Sequence, residues 1–175
     1  MIVLISGGSG SGKSTLAAKF YATLLSTDDF YVPKARVPRR PDGSMNFDQP
    51  AAVDLAACRD AARKLAAGKP AEVPIYDMKL CEPVGSRIVD PPRTGILVVE
   101  GIFALCSPLR EIGDLRIFID TPLHLRVARR IERDVKRGRT PMQSLHWSIL
   151  VEQAYEEHVE PTRQHAHVVL GREGW

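Results

Sequence analysis

Residues 1–15 read MIVLISGGSGSGKST, an apolar run followed by a glycine-rich loop. Residues 7–14 satisfy the pattern G-x-x-x-x-G-K-[ST], and residues 16–20 have the composition of a helix. Glycines let the backbone N–H groups of such a loop wrap around a polyphosphate, because a Cβ would obstruct the close approach. The order of strand, loop and helix therefore predicts a phosphate loop that binds a nucleotide.

The phosphate loop supplies the candidate nucleotide-binding residues. They are Gly7, Gly8, Ser9, Gly10, Ser11, Gly12, Lys13, Ser14 and Thr15. A helix that begins near Gly12 turns its unsatisfied N–H groups and positive dipole end toward the phosphates. Lys13 supplies a mobile cation for the β- and γ-phosphate oxygens, and Ser14 is placed to give its hydroxyl to Mg²⁺.

Composition and length predict one compact enzyme domain. The 175 residues are 44% hydrophobic and 26% charged, which is ordinary for a globular chain of about one domain. No apolar run approaches the ~20 residues of a membrane span, and the amino terminus lacks a basic leader with a cleavage site. We therefore expect a cytoplasmic protein without a membrane partner.

Charge and cysteine usage argue against other classes of protein. The net charge of +3 is too small for global attraction to nucleic acid, so we expect no nucleic-acid partner. Cys58, Cys81 and Cys106 are odd in number and far apart, which disfavours a disulfide scaffold or a zinc site. His165 and His167 have no further ligand cluster beside them and are interpreted as surface side chains.

Strand-like apolar segments alternate with helical patterns along the chain. Strands are predicted at residues 1–6, 24–26, 95–99, 115–119 and 168–170, and helices at 51–67, 122–136 and 142–160. This alternation predicts a doubly wound α/β fold, a mostly parallel sheet with helices on both faces. Ligands of such folds bind outside the carboxyl ends of the strands, and the proline-rich, basic loop at 32–46 is suited to cover a substrate.

Carboxylates follow two of the predicted strands. Asp28 and Asp29 end the second strand, where one of them can accept a proton from a substrate hydroxyl. Glu100 ends the apolar run before Gly101 and is suited to Mg²⁺, which prefers oxygen ligands. Alternatively, the aspartate pair caps a turn and Glu100 belongs to a simple turn.

A stripe of arginines marks the predicted helix at 122–136. Arg126, Arg129, Arg130, Arg133 and Arg137 recur every three or four residues and share one helix face, with Arg139 just beyond. Guanidinium groups above a nucleotide would neutralise charge during phosphoryl transfer. A solvated basic face and a nucleic-acid surface are the alternatives, and the latter predicts steep salt dependence of binding.

Further motifs follow the phosphate loop in a fixed order. They are TDDFY (27–31), NFDQP (46–50), VPIYD (73–77), VEGI (99–102), RRIERD (129–134) and EPTR (160–163). In this order they resemble the uridine kinase and phosphoribulokinase family of P-loop kinases, and most closely uridine kinase. The resemblance implies a single P-loop kinase domain over residues 1–175, with a small helical lid at roughly residues 126–145.

The resemblance also implies an activity and its residues. The enzyme would use ATP and Mg²⁺ to phosphorylate a small-molecule hydroxyl acceptor, the 5′-hydroxyl of uridine or cytidine. The implied catalytic residues are Asp28, Lys13, Arg130 and Arg133, and the implied metal site is Ser14, Asp28 and Glu100. The implied acceptor site is Asp28, Asp48, Tyr76 and Arg130, and Arg137 and Arg139 join the phosphate loop in binding ATP. Relatives in this family often self-associate, which leaves a homo-oligomer open.

Two residues depart from the uridine-kinase pattern. Met78 and Cys81 stand where uridine kinases usually carry an aromatic residue and a histidine that reads the pyrimidine. An alternative is therefore the same phosphoryl transfer to another riboside, a sugar phosphate, glycerate or pantothenate. A non-catalytic nucleotide-binding switch is a second alternative, which Asp28 and Asp29 oppose, as does the lack of a guanine-reading Asn-Lys-x-Asp sequence.

Overall fold

The computed structural model describes residues 1–171, which form a five-stranded sheet, a two-stranded hairpin and four α-helices. In chain order the elements are β1 (Ile2–Gly7), α1 (Lys13–Ala17), β2 (Thr23–Ser26), α2 (Leu55–Ala66), β3 (Ala71–Asp77), β4 (Glu82–Val89), β5 (Leu97–Glu100), β6 (Leu115–Asp120), α3 (Leu123–Lys136), α4 (Pro141–Ala154) and β7 (Val168–Gly171). Short 3-10 turns lie at Thr27–Phe30, Pro50–Ala52, Arg110–Ile112 and Glu160–His165, and a π turn lies at Tyr155–Val159.

All five strands of the main sheet run parallel, in the order β2-β5-β1-β6-β7. β1 is central, and its Leu4 pairs with Val99 of β5 and with Arg116 of β6. All six residues of β1 are buried, as expected for an apolar strand covered on both faces. The five predicted strands and the doubly wound α/β fold are thus confirmed.

Helices cover both faces of this sheet. Val3 and Ile5 pack with Ala17 of α1 on one face, whereas Ile2 and Leu4 belong to the larger core around α2 and β3 on the other. Alternate residues of β1 serve different layers because strand side chains have a period of two. Each fully buried Leu or Ile contributes ~1.5–3 kcal/mol relative to an exposed one, so β1 anchors both layers.

The helix predicted at 51–67 begins later than expected. Pro50–Ala52 form a separate 3-10 turn, and α2 starts at Leu55. The reason is Asp54, whose carboxylate caps the helix by accepting a 2.9 Å hydrogen bond from the N–H of Ala57. Ala51 is therefore exposed outside the helix, but the rest of the predicted apolar face is buried: Leu55, Cys58, Ala62 and Leu65.

No strand is predicted for residues 71–89, yet this segment forms the antiparallel hairpin of β3 and β4. Pro74 lies inside β3, where proline is unusual, and six of the eight residues of β4 are exposed. Neither strand therefore has the continuous apolar run of a buried strand. The hairpin packs on α2 and on the 3-10 turn that follows β2. It therefore brings residues of a distant segment close to Asp28 and Asp29.

Helices α3 and α4 form a hairpin in the region of the predicted lid. The helix predicted at 122–136 corresponds to α3, whereas the one predicted at 142–160 leaves α-helical geometry after Ala154 and continues as the π and 3-10 turns. A capping box between Thr140 and Gln143 starts α4. Of the helices within residues 1–171, none is long and apolar enough to cross a membrane.

The arginine stripe of α3 points partly into the protein. Arg126 and Arg130 are 3% and 1% exposed, and Asp134 is buried with them. Arg129 and Arg133 remain exposed, and so does the apolar Val135. The alternatives of a solvated face and of a nucleic-acid surface are therefore wrong for Arg126 and Arg130, because neither side chain reaches the surface.

Candidate active site

The carboxyl ends of β1, β2 and β5 meet at one cavity of about 280 Å³. We call it the phosphate cavity. Its lining comprises Ser9, Gly10, Gly12, Lys13, Ser14, Thr15, Asp28, Glu100, Gly101, Ile102, Arg129, Arg130 and Arg133. The phosphate loop, both predicted strand-end carboxylates and two of the predicted catalytic arginines thus share one site, at the edge where ligands of open α/β sheets bind.

The conformation of the phosphate loop requires glycine. Gly12 has φ 93° as the N-cap of α1, in the left-handed region that other residues rarely adopt. A Cβ on Gly10, which also has positive φ, would lie 2.6 Å from the carbonyl oxygen of Arg126. The loop is therefore packed tightly against α3 from behind, and its open side faces the phosphate cavity.

Lys13 is a buried cation of the phosphate cavity. Its Nζ donates a 3.0 Å hydrogen bond to the carbonyl oxygen of Gly8, and the side chain is nearly inaccessible. Burial lowers the pKa of Lys13, while the carboxylates of Glu100 and Asp28 oppose that shift. An anionic ligand beside Nζ would stabilise the charged form further, as expected for a residue that binds phosphate.

Glu100 is oriented by two hydroxyl groups. Ser14 and Ser26 donate hydrogen bonds of 3.2 Å and 3.3 Å to its Oε1. Burial raises the pKa of Glu100, the nearby Asp28 raises it further, and Lys13 opposes them. Two carboxylates and a serine hydroxyl in one cleft form an oxygen donor set that suits Mg²⁺ together with phosphate oxygens.

Metal ligands of other kinds are missing from the part of the chain that the structure describes. Within residues 1–171 no group of three or more His, Cys, Asp or Glu side chains could hold a metal ion by itself. His165 and His167 instead lie against Arg110 and Arg116, at 2.8 Å and 2.6 Å between ring and guanidinium nitrogens. Both histidines thus have arginine side chains as neighbours.

The two adjacent aspartates differ in their partners. The Arg87 guanidinium of β4 forms a 2.8 Å ion pair with Asp29. Asp28 lines the phosphate cavity instead, where its backbone N–H donates to Ser26 Oγ. Desolvation by the surrounding protein raises the pKa of the Asp28 carboxyl, and the charge of Lys13 opposes this shift. Asp29 is thus engaged in a structural pair, whereas Asp28 faces the ligand site.

Arg130 is the most unusual charge of the site. It is 1% exposed, and all three of its guanidinium nitrogens lack a hydrogen-bond partner in the described structure. Leaving a buried charged group unpaired is costly, so such groups mark sites where a ligand supplies the partner. Because Arg130 lines the phosphate cavity, the missing partner is expected to be an anionic or strongly polar ligand.

Of the predicted acceptor residues, Asp28 and Arg130 line the phosphate cavity, whereas Asp48 and Tyr76 are not in its lining. Asp48 forms a 3.2 Å ion pair with Arg40 and feels the charge of Arg130. The ring of Tyr31 lies 5.5 Å from that of Tyr76 and 5.9 Å from that of Phe47. The structure thus groups aromatic rings with a partly buried carboxylate, although Asp48 and Tyr76 are far apart in sequence.

The two arginines predicted to bind ATP are not among the residues that line the phosphate cavity. Arg139 lies 3.4 Å from Asp134 and contacts the ring of Trp147, at 5.9 Å from its centroid. Arg137 ends α3 and acts on Asp28 only through its electrostatic field. In this arrangement both belong to the turn between α3 and α4.

The sequence did not predict the contacts that Arg126 makes with α4 and with the turn that follows it. Arg126 donates to the carbonyl of Thr121 and to Glu152, at 2.9 Å and 2.6 Å, and its guanidinium lies 4.0 Å from the Tyr155 ring centroid. It also packs against Gly8. Regular arginine spacing gives the helix face but not the partners, since Glu152 and Tyr155 belong to α4 and the turn that follows it.

Known proteins with related sequences support the assignment to one family. The family model described as phosphoribulokinase / uridine kinase matches residues 2–174. The chain is 35% identical to a uridine kinase of Staphylococcus epidermidis, over 99% of this chain and 88% of that protein. It is 34% identical to uridine-cytidine kinase B of Dictyostelium discoideum, over 98% of this chain and 74% of that protein.

A solved structure shares the fold. Phosphoribulokinase from Rhodobacter spheroides superposes with a TM-score of 0.68 at 19% identity, over 97% of this chain and 69% of that one. At this identity the likeness supports the fold alone, and it agrees with the parallel sheet and the phosphate loop described above. The full-length match to the family model confirms the resemblance found in the motifs, and the chain belongs to the phosphoribulokinase and uridine kinase family of P-loop kinases.

Proposed function

We propose that this kinase transfers the γ-phosphoryl group of ATP to the 5′-hydroxyl of uridine or cytidine. The observation that carries the proposal is the presence of Lys13 and Asp28 in one cavity at the strand ends. Lys13 offers a cation to the phosphates, and Asp28 offers a carboxylate to the acceptor hydroxyl. The similarity to uridine kinases and to a uridine-cytidine kinase supports the choice of acceptor.

In this proposal Asp28 aligns the attacking hydroxyl and accepts its proton. Asp29 is less suited because its carboxylate is held by Arg87. Lys13, Arg130 and Arg133 offset the negative charge on the transferring group, since all three line the phosphate cavity. The enzyme would lower the barrier mainly by positioning and by preorganised charge, as phosphoryl transfer requires.

The residues at the strand ends fit Mg²⁺. Ser14, Asp28 and Glu100 would hold the ion, directly or through its water shell. The pKa values of both carboxyls are raised by burial, so a cation in their midst would favour the ionised forms. When bound, Mg²⁺ neutralises charge on the phosphates.

We further propose that residues 7–15 bind ATP and that the hairpin of α3 and α4 acts as the lid. Arg137 and Arg139 would reach the nucleotide when the lid closes; the exposure of both residues on the turn between the helices supports this role. Closure would exclude water and limit hydrolysis of ATP.

Acceptor recognition is assigned to the residues beside the phosphate cavity. The Asp48 carboxylate would accept hydrogen bonds from ribose hydroxyls, and Tyr76 with Tyr31 would contact the flat base. Arg130, between Asp48 and the phosphates, would donate to acceptor and phosphoryl oxygens. Each of these residues belongs to a different segment of the chain.

A second candidate keeps the chemistry and changes the acceptor. Met78 is 51% exposed at the turn between β3 and β4, and the carbonyl oxygen of Cys81 accepts a hydrogen bond from the N–H of Lys34. Neither residue offers a ring or an imidazole to a pyrimidine. The side chains of this turn therefore favour a different acceptor: another riboside, a sugar phosphate, glycerate or pantothenate.

An acceptor panel separates these candidates. ADP release is measured with MgATP and each of uridine, cytidine, adenosine, ribulose 5-phosphate, glycerate and pantothenate, and each product is identified by mass. Selective turnover of uridine or cytidine supports the proposed function. Turnover of a different acceptor favours the second candidate, and failure of all acceptors while ATP still binds contradicts both.

A further inference from the structure

Arg40 is a partly buried cation that the motifs do not mark. Its side chain is 12% exposed, and its guanidinium donates to the carbonyl oxygen of Met45 at 2.6 Å and to Asp48 Oδ2 at 3.2 Å. The partner carboxylate is 15% exposed. Arg40 therefore fixes both the loop that carries Asp48 and the carboxylate itself.

The same guanidinium reaches the lid. It lies 5.2 Å from the ring centroid of Trp147 on α4, and Arg139 lies 5.9 Å from that ring. A guanidinium over an indole is an attractive contact. Arg40 thereby links the Asp48 carboxylate to the Trp147 ring, although Trp147 belongs to a distant segment of the chain.

We propose that Arg40 is a positioning residue that determines acceptor specificity: it fixes the Asp48 carboxylate toward the acceptor and, through Trp147, couples acceptor binding to the position of α4. The inference rests on the proposed kinase function and names a residue that the family motifs leave out. Loss of Arg40 then weakens acceptor binding and loosens the link between acceptor binding and lid closure, while ATP binding at residues 7–15 is retained.

The charges around Asp48 agree with this role. Burial raises the pKa of Asp48, whereas Arg40 first and Arg130 second oppose the shift. Tyr31 also faces this carboxylate, and the pKa of its own phenol is raised mainly by burial. Without Arg40, Arg130 is the remaining cation that holds Asp48 ionised, so a lower pH should protonate Asp48 more readily in the variant.

The test compares Arg40→Met and Arg40→Lys with Arg39→Met. Arg39 is exposed in the same loop and donates to the carbonyl oxygen of Gly43 at 2.8 Å, so its variant controls for loop disturbance. We expect KM for uridine to rise about ten- to a hundredfold in Arg40→Met, the range of a charge-assisted hydrogen bond, with KM for ATP nearly unchanged. Arg40→Lys should restore part of this loss, and Arg39→Met should resemble the wild type.

Two further readouts separate positioning from general damage. The acid limb of kcat/KM for uridine should move to higher pH in Arg40→Met, because Asp48 loses a cation that favours ionisation. In a Trp175→Phe background, the uridine-induced change in Trp147 fluorescence should disappear in Arg40→Met and persist in Arg39→Met. Thermal unfolding of every variant verifies that the fold is retained.

The outcomes distinguish the inference from the proposed function. Wild-type turnover of uridine with equal effects of Arg40→Met and Arg39→Met overturns the inference and leaves the kinase proposal intact. An equal rise of KM for ATP and uridine overturns it as well. Should another acceptor replace uridine in the panel, the same comparison uses that acceptor; if the wild type phosphorylates none, the proposed function fails and the role of Arg40 fails with it.

Discussion

The phosphate side and the acceptor side of this site are built in different ways. The centre of the phosphate side is one contiguous loop, residues 7–15, whose backbone conformation depends on glycines; Glu100 and arginines of α3 complete the lining. The proposed acceptor side gathers Tyr31, Asp48 and Tyr76 from separate segments; the Tyr31 ring contacts the Tyr76 ring, and Arg40 pairs with Asp48 and lies over the Trp147 ring.

The difference separates residues that would serve phosphoryl transfer to any acceptor from residues that would select the acceptor. A loop that binds through its own backbone needs few outside partners, so its function survives changes elsewhere. A pocket assembled from distant side chains changes whenever one contributing segment changes. Substitutions on the phosphate side should therefore abolish turnover for every acceptor, whereas those on the acceptor side should change the choice of acceptor.

The largest effect is expected for Asp28→Asn. The asparagine keeps the shape but cannot accept the hydroxyl proton, so kcat should fall about 10²- to 10⁴-fold, the usual contribution of a general base. ATP affinity, measured by calorimetry, should stay nearly unchanged. Asp29→Asn is the matched control: its partly exposed pair with Arg87 predicts a loss of only a few-fold. Equal losses of kcat in the two variants would contradict the role of Asp28 as the general base.

Lys13→Ala should cost nearly as much but in a different parameter. The substitution removes the buried ammonium next to Gly8, so both ATP affinity and kcat should fall, with kcat/KM lower by about 10²- to 10³-fold for every acceptor. Fluorescent-nucleotide titration and steady-state kinetics measure the two quantities. Unchanged nucleotide binding would contradict the role of the phosphate loop.

Asp48→Asn should affect the acceptor alone. Its amide is neutral and donates where the carboxylate accepts, so KM for uridine should rise about ten- to a hundredfold while KM for ATP stays within a factor of two or so. Initial-rate kinetics with each substrate varied in turn give both constants. An equal rise of KM for uridine and KM for ATP would contradict the assignment of Asp48 to the acceptor side.

The pH dependence follows from the raised pKa of Asp28. In the proposed mechanism Asp28 acts in its ionised form, so kcat/KM should fall as pH drops through a pKa above the ordinary aspartate value, about tenfold per pH unit on the acid limb. The profile is measured in wild type and in Asp28→Asn, whose residual activity should lack this limb. A limb that persists in the variant would belong to another group, such as Glu100.

The smallest effect concerns the scaffold. Asp54→Ala removes the N-cap of α2, and we expect the free energy of unfolding to fall by ~1 kcal/mol, with kinetic constants unchanged. Urea denaturation measures the stability. A loss of acceptor affinity without a stability change would show that α2 takes part in the acceptor side.

Much of the fold could be predicted because its signals are local. The buried run of β1 and the glycines before Lys13 identify strand, loop and helix within 15 residues, and the parallel strands follow from similar short apolar runs. The β3–β4 hairpin was beyond this reasoning because β4 is mostly exposed and lacks an apolar period. The helix predicted at 51–67 starts at Leu55 instead, because the Asp54 side chain caps it there.

The residues of the candidate site also differ in how far the sequence predicts them. Lys13, Ser14, Asp28 and Glu100 follow strand ends, so the topology alone brings them together. The pairing of Arg87 with Asp29, or of Arg40 with Asp48 and Trp147, depends on contacts between segments whose spacing carries no pattern. Regular arginine spacing gave one face of α3, but the spacing alone does not show that Arg130 is buried and Arg133 exposed.

The most direct test of the central claim is mass-spectrometric detection of the 5′-monophosphate after incubation of MgATP with uridine and the wild-type or Asp28→Asn enzyme. We expect stoichiometric conversion of uridine by the wild type, together with a loss of at least about a hundredfold in the variant despite intact ATP binding. Product formation at wild-type rates in Asp28→Asn would contradict it.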